Sequence, residues 1–386
     1  MKIGITTLFH ENYNYGGMFQ SYALCKVISG FGYHTEQICY TYRDALKEGK
    51  IKRFLSCPLK TKISKVRYKL YSRFFLRKKI SLRNKAFTEF IELIPHTCTY
   101  DETTIKECNE QFDCFVTGSD QVWNPKFMGN KAFFLLDFVE NNKPKFSYAA
   151  SIGHVDLSEQ HKRMFKEYLA DFIGVSVRES DAVDLIRQLS PVEPEWVLDP
   201  VLLFDSTGWD MVCADRIIKE KFIFCYFCGA DKELRILAEK FASERNLKVV
   251  SITGLSNTYC SYDRKFGDER LWKVSPQEFI SLVKNAEYVF SDSFHASVLS
   301  AIYNKEFYVF NRSDAKMASR LYSLTSLFEC PEHFCDTKDK MHISYVNQLD
   351  RIDYKLSEHK IKKLRAESLA YLERNLKRAE EIINEK

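Results

Sequence analysis

Short apolar runs alternate along the whole chain with longer segments whose apolar positions recur every three or four residues. The first spacing is that of buried strands, the second that of amphipathic helices. Residues 2–7 predict a strand, 10–17 a loop, 18–31 a helix stopped by Gly32, and 34–40 a second strand. This is a βαβ unit with an unusually long loop after its first strand. Residues 112–117, 145–151, 174–178 and 196–198 predict further strands separated by helices. A second series opens with a strand over 221–228, a helix over 232–246 and a strand over 248–253. It continues with a helix over 275–285 that starts at Ser275-Pro276, a strand over 288–290, a helix over 296–303 and a strand over 307–310. Residues 356–386 predict a charged helix with one apolar stripe.

Strands and helices in strict alternation predict an α/β protein with mostly parallel sheets. A single core stops growing near ~250–300 residues, so 386 residues imply two domains. The expected division is 1–205 for the first half, with a basic helical insertion at about 43–90, then 206–350 for the second half and 351–386 for a C-terminal helix. Two α/β halves facing a cleft, with that helix packing back, is the architecture this order suggests.

Composition changes the picture in two places. The 12 cysteines are scattered through mostly apolar segments, and only Cys225 and Cys228 form a C-x-x-C. That pair lies on a strand pattern, which puts residues three apart on opposite faces, so neither a zinc knuckle nor a redox turn is expected. No metal site follows from the spacing. Free thiols in such number indicate a reducing compartment, the opening strand is unlike a signal peptide, and no apolar run approaches the ~20 residues of a membrane span. A cytoplasmic location is expected. The net charge of +5 is unevenly placed, since residues 43–86 hold 16 Lys or Arg against two acids. Within them Ile63, Val66, Leu70 and Phe74 recur at helical spacing among Lys62, Lys65, Arg67, Lys69 and Arg73. Such a helix either lies on an anionic membrane surface, here the inner face, or presents a solvated basic face. A nucleic-acid partner is not expected, because the rest of the chain is not basic and carries no nucleic-acid motif.

Four constellations carry candidate chemistry. In Asn12-Tyr13-Asn14-Tyr15-Gly16-Gly17 the paired glycines let backbone approach a ligand, and the helix start offers N–H donors to an anion. The alternative is a turn that merely begins a helix. The run is neither G-x-G-x-x-G nor a Walker loop, so nucleotide phosphates are not specifically indicated. In Gly118-Ser119-Asp120-Gln121-Val122-Trp123-Asn124-Pro125, Asp120, Gln121 and Asn124 suit sugar hydroxyls, with Trp123 as either a stacking wall or a core residue. Arg178 stands at a strand end, where a guanidinium grips a carboxylate or phosphate bidentately, or pairs with Glu179 at the surface. In Ser291-Asp292-Ser293-Phe294-His295 a strand gives way to a helix, and ligands bind beyond strand carboxyl ends in open α/β sheets. The rival reading there is an ordinary N-cap beside a satisfied histidine.

Taken in order, these segments resemble the polysaccharide pyruvyl transferase family. The resemblance runs from Lys2-Ile3-Gly4-Ile5-Thr6-Thr7 and Asn14-Tyr15-Gly16 through Gly118-Ser119-Asp120-Gln121-Val122-Trp123-Asn124 and Tyr148-Ala149-Ala150-Ser151. It continues through Ser176-Val177-Arg178-Glu179, Leu198-Asp199-Pro200 and Ser291-Asp292-Ser293-Phe294-His295 to Ser319-Arg320. It implies a glycosyltransferase-B-like pair of Rossmann-like domains. It also implies transfer of pyruvate from phosphoenolpyruvate, with no cofactor, onto two sugar hydroxyls as a cyclic ketal. Where members often read Arg-Leu-His this chain reads Ser293-Phe294-His295, so only the histidine carries over. Arg178, Arg320 or a lysine then supplies the second positive charge.

That chemistry assigns proton exchange to His295, whose imidazole ordinarily titrates near neutrality, and orientation or hydroxyl deprotonation to Asp292. Asn14, Tyr15, Gly16, Gly17, Ser119, Asp120, Gln121, Trp123, Asn124, Arg178, Ser293 and Arg320 make up the expected substrate site. The expected partners are phosphoenolpyruvate and a sugar acceptor, which a lipid-linked oligosaccharide would bring to the membrane face. Two other functions share these features: a nucleotide-sugar-dependent glycosyltransferase on the same fold, and a non-catalytic carbohydrate-binding protein.

Overall fold

The computed structural model describes residues 1–41, 59–129, 131–153, 157–252, 260–312 and 318–385. Residues 42–58 of the expected basic insertion therefore lie outside the described residues. The chain divides into two compact units. The first comprises Met1–Arg43, Glu92–Phe204 and His359–Lys386, the second Asp44–Ile91 and Asp205–Glu358.

The first unit opens with β1 (Lys2–Thr6), α1 (Tyr15–Gly30) and β2 (His34–Tyr40). The chain then contributes α2 (Leu59–Tyr71), a π-helical stretch Ser72–Leu76 and α3 (Arg77–Ile91) to the second unit. There Lys79 lies 4.1 Å over the ring of Trp272. The first unit resumes with β3 (His96–Tyr100), β4 (Cys114–Thr117), β5 (Lys145–Ser147), α4 (Glu159–Tyr168), β6 (Val175–Val177) and β7 (Pro194–Trp196). Its main sheet has the order β3-β2-β1-β4-β5, every pair parallel. Bridges Phe146↔Gly174 and Ala150↔Val177 join the parallel β6–β7 pair to the β5 edge. The central strands are buried apart from Lys2 at the start of β1, as parallel strands covered on both faces must be; Ile3, Ile5, Phe115 and Val116 are wholly inaccessible.

The second unit runs β8 (Phe222–Tyr226), α5 (Lys232–Glu244), β9 (Lys248–Ile252), β10 (Glu269–Leu271), α6 (Pro276–Asn285) and β11 (Tyr288–Ser291). It continues with α7 (Phe294–Ile302), β12 (Glu306–Phe310), α8 (Ala318–Leu327) and β13 (Phe334–Cys335). Its sheet has the order β10-β9-β8-β11-β12-β13, again wholly parallel. The last helix, α9 (Tyr354–Asn384), belongs to the first unit from His359 onward. It packs back as the sequence predicts. The Tyr371 hydroxyl donates to Ser147 O at 2.8 Å, and Ser368 Oγ accepts the Leu198 N–H at 2.9 Å.

Both units are thus Rossmann-like α/β layers, and each has one place where strand order reverses: β1 beside β4, and β8 beside β11. Helices leave neighbouring strands toward opposite faces at such a point, which opens a crevice at the carboxyl ends. The motifs singled out after the first strand, after 112–117 and after 288–290 fall at these two reversals.

Candidate active site

At the β1/β4 reversal, Asn14 caps α1. Its Oδ1 accepts the N–H groups of Gly16 at 2.9 Å and Gly17 at 3.4 Å. This cap starts the helix at Tyr15, three residues before the spacing predicts. Tyr15 is buried and its ring stacks on Phe19, so it stands in the core rather than on an open surface. The same holds for Trp123, which is wholly buried, donates Nε1–H to Phe134 O at 3.0 Å and meets Phe165 edge-on at 5.4 Å.

Gln20, also wholly buried, ties the two loops together. Its Nε2 donates to Thr7 Oγ1 at 2.9 Å and Gly17 O at 3.0 Å, while its Oε1 accepts the Ser119 N–H at 3.2 Å. The Thr7 hydroxyl donates to Ser119 O at 2.9 Å. Gly118, at φ 114°, allows the loop after β4 to approach β5, since a Cβ there would stand 2.2 Å from Tyr148 O. Beyond it Asp120 adopts a left-handed φ of 63°. Asn124 donates Nδ2 to Gln121 Oε1 at 2.7 Å and caps the short turn Pro125–Met128 by accepting the Lys126 N–H at 3.0 Å.

Arg178, just past β6, lies buried among three carboxylates. Its Nη1 is 2.8 Å from Asp199 Oδ2 and 3.7 Å from Asp120 Oδ1, and its Nε is 3.6 Å from Glu179 Oε1. Burial acts to lower its pKa, but the carboxylates of Asp199, Glu179 and Asp120 outweigh burial and raise it above the ordinary arginine value. The Ser119 hydroxyl donates to Ala149 O at 2.9 Å and reaches Asp199 Oδ2 at 3.4 Å. Ser151 Oγ donates to Glu179 Oε1 at 2.5 Å. With three carboxylates around one guanidinium, the cluster offers several acceptors to hydroxyl groups.

At the β8/β11 reversal the buried Asp292 carboxylate accepts the N–H groups of Cys228 and Gly229, both at 2.7 Å. Arg312, at the end of β12, brings Nε to 3.3 Å from Asp292 Oδ2 and donates through Nε and Nη2 to Asp292 O at 3.1 and 2.9 Å. Asp292 therefore straps the turn after β8 to β11. Burial, only partly offset by Arg312, pushes the Cys228 thiol up to about 11, which keeps it protonated and unreactive at neutral pH. Ser293 is the N-cap residue of α7 but makes no side-chain cap bond. Its carbonyl accepts the Ser297 hydroxyl at 2.9 Å. His295, half-buried in the first turn of α7, meets the Phe294 ring edge-on at 5.2 Å. Arg320 is buried in α8.

In the first unit, then, Ser119, Asp120 and Arg178 converge, Gln121 and Asn124 pair in the same loop, and Asn14, Gly16 and Gly17 form the neighbouring helix start. In the second, Asp292, Ser293 and His295 share one turn. Sequence reasoning missed Gln20, Asp199, Glu179 and Arg312 as site residues. Gln20 had a signal, an amide inside the apolar run Met18-Phe19-Gln20 of a buried helix, and Asp199 stood in the Leu198-Asp199-Pro200 motif. Among the described residues no group of three His, Cys, Asp or Glu side chains is placed to hold a metal ion.

The two parallel Rossmann-like units are the architecture of glycosyltransferase-B proteins. The chain resembles the Arabidopsis thaliana protein UGT89C1 with a TM-score of 0.50 and 8% identity, covering 99% of each chain. Two further solved structures align at lower scores. The calicheamicin glycosyltransferase CalG4 gives 0.48 at 10% identity over 99% of this chain and 98% of that one. UDP-GlcNAc 2-epimerase from Neisseria meningitidis gives 0.46 at 10% identity over 96% and 100%. No curated protein matches the sequence. Residues 14–314 match the polysaccharide pyruvyl transferase family, and the chain belongs to that family of transferases.

Proposed function

We propose that the protein transfers a pyruvyl group from phosphoenolpyruvate to two hydroxyls of a sugar, forming a cyclic ketal on a surface polysaccharide such as a capsule or exopolysaccharide. The observation that carries the reading is His295, half-buried in the first turn of α7 at a strand-order reversal, in a chain of this family. The methylene carbon of the enol phosphate takes a proton, a sugar hydroxyl attacks the neighbouring carbon, phosphate leaves and the second hydroxyl closes the ring. Of the two hydroxyl protons one balances the new methyl group and the other departs with phosphate. No metal or cofactor enters this scheme.

His295 is the group that exchanges the proton. Arg312, Arg320 and the N–H groups of the first turn of α7 hold the donor's phosphate and carboxylate. Asp292 positions the turn rather than the proton, because its carboxylate already accepts two backbone N–H groups and faces Arg312. Arg178 was expected from the sequence to grip the donor. Its three carboxylate neighbours oppose an anion there, so we give that cluster, with Ser119, Asp120, Gln121 and Asn124, to the acceptor. The protein works in the cytoplasm. A lipid-linked oligosaccharide acceptor would bring it to the inner membrane face, which α2 and the π-helical stretch after it suit through exposed Ile63, Val66 and Leu70, then Phe74.

The test is thermal melting with phosphoenolpyruvate against nucleotide sugars, followed by mass spectrometry of candidate acceptors. Stabilisation by phosphoenolpyruvate and a product heavier by one pyruvate less one water are expected. His295→Ala should lower turnover by about 10²–10⁴-fold without moving the melting temperature. Stabilisation by a nucleotide sugar alone would assign the fold to glycosyl transfer instead.

A further inference from the structure

The first unit contains a cavity of about 520 Å³ that none of the residues described at the β1/β4 reversal lines. It is lined by the last residue of β2, by the loop after β3, by the segment following the Gly118–Asn124 motif, and by α4. Pockets of roughly 300–1,000 Å³ hold small organic ligands. The lining has two chemistries. Tyr40 and Tyr168 contribute aromatic surface to the lining, and Tyr40 is backed by Phe133, on which it stacks at 4.0 Å with the planes 11° apart. Charged groups complete the lining. Glu102, Asp137 and Glu167 face Lys106 and Lys131, with Lys131 Nζ 2.7 Å from Glu102 Oε1.

Three acids against two bases leave the lining with a net negative charge, which disfavours phosphates and carboxylates. Aromatic surface with carboxylates and ammonium groups beside it matches a pyranose, which has apolar C–H faces and a belt of hydroxyls that both donate and accept. We propose that this cavity binds an uncharged sugar residue of the acceptor glycan, away from the residue that is modified. The inference rests on the pyruvyl transferase reading for its claim that the ligand is an acceptor, and on the cavity alone for its claim of a neutral sugar.

Saturation-transfer NMR of the full chain, without donor, tests it with cellotriose, galactotriose, chitotriose and glucose 1-phosphate as probes. At least one neutral trisaccharide should receive saturation, and glucose 1-phosphate should receive none. Asp137→Ala and Tyr168→Ala should each weaken that binding about tenfold with circular dichroism unchanged. Asp137→Asn, which keeps the shape, serves if the alanine variant fails to fold. No binding by any neutral trisaccharide, or binding indifferent to both positions, would overturn the proposal. Melting with phosphoenolpyruvate on the same samples separates the outcomes. Donor binding without sugar binding sinks the subsite alone, and sugar binding without donor binding sinks the pyruvyl transfer alone.

Discussion

Arg178 illustrates what a residue's neighbours do to its meaning. In the sequence it is a guanidinium at a strand end; in the fold it offsets Asp199, Asp120 and Glu179 where its own side chain and that of Asp199 are buried. Removing the cation leaves three carboxylates facing one another, and an uncompensated buried charge costs about 3–5 kcal/mol. Arg178→Met should therefore lower the urea midpoint strongly, and adding Asp199→Asn should recover part of the loss. Equal stability of wild type and Arg178→Met would show that the cluster carries no such burden. The residue type and strand-end position of Arg178 were readable from the sequence. Its partners were not, because Asp199 lies 21 positions away and meets it only once β6 and β7 pair. Gln20 is similar, since its bond to Ser119 spans 99 positions.

At the scale of elements, the buried parallel strands were clear because both faces are covered and the apolar runs are continuous. The edge strands were not: His-Thr-Cys-Thr-Tyr of β3 and Glu-Arg-Leu of β10 carry too few apolar residues to stand out, and pairing alone makes them strands. The helix α2 presents the opposite case, a clear pattern with an unusual outcome. Its stripe of Ile63, Val66 and Leu70, continued by Phe74, is exposed, with Phe74 at 72%. An apolar stripe among Lys62, Arg67, Lys69 and Arg73 suits anionic lipid, where each cation contributes about 1 kcal/mol. The protein should sediment with vesicles containing phosphatidylglycerol and come off as salt is raised. Lys62→Glu, Arg67→Glu and Lys69→Glu together, or Leu70→Ser with Phe74→Ser, should abolish that binding. Failure to sediment at low salt would leave a solvated basic face.

For the whole molecule, the helix predicted over 356–386 was legible as an element, but not as a structural member of the first unit. There Tyr371 is buried, hydrogen-bonded to Ser147 O, and Arg365 donates from Nε to Leu202 O at 2.8 Å. Leu372, Leu376 and Ala379 are wholly inaccessible. Ending the chain after Glu358 should strip the cover from the β5–β6 region and unfold the first unit while the second keeps its own core. Loss of amide protection confined to residues 1–41 and 92–204 would confirm this; protection unchanged there would show that α9 is dispensable.

The same arrangement has a consequence for how the protein is made. The stretch from 205 to 358 is synthesised, and clears the ribosome, ahead of residues 359–386, at roughly 5–20 residues per second. The unit whose strands are translated first is therefore the one finished last. For that interval Phe146, Tyr148 and the β5–β6 surface wait without their final layer. Newborn chains that have not yet released residues 359–386, rather than mature ones, are where chaperones and proteases would find this molecule.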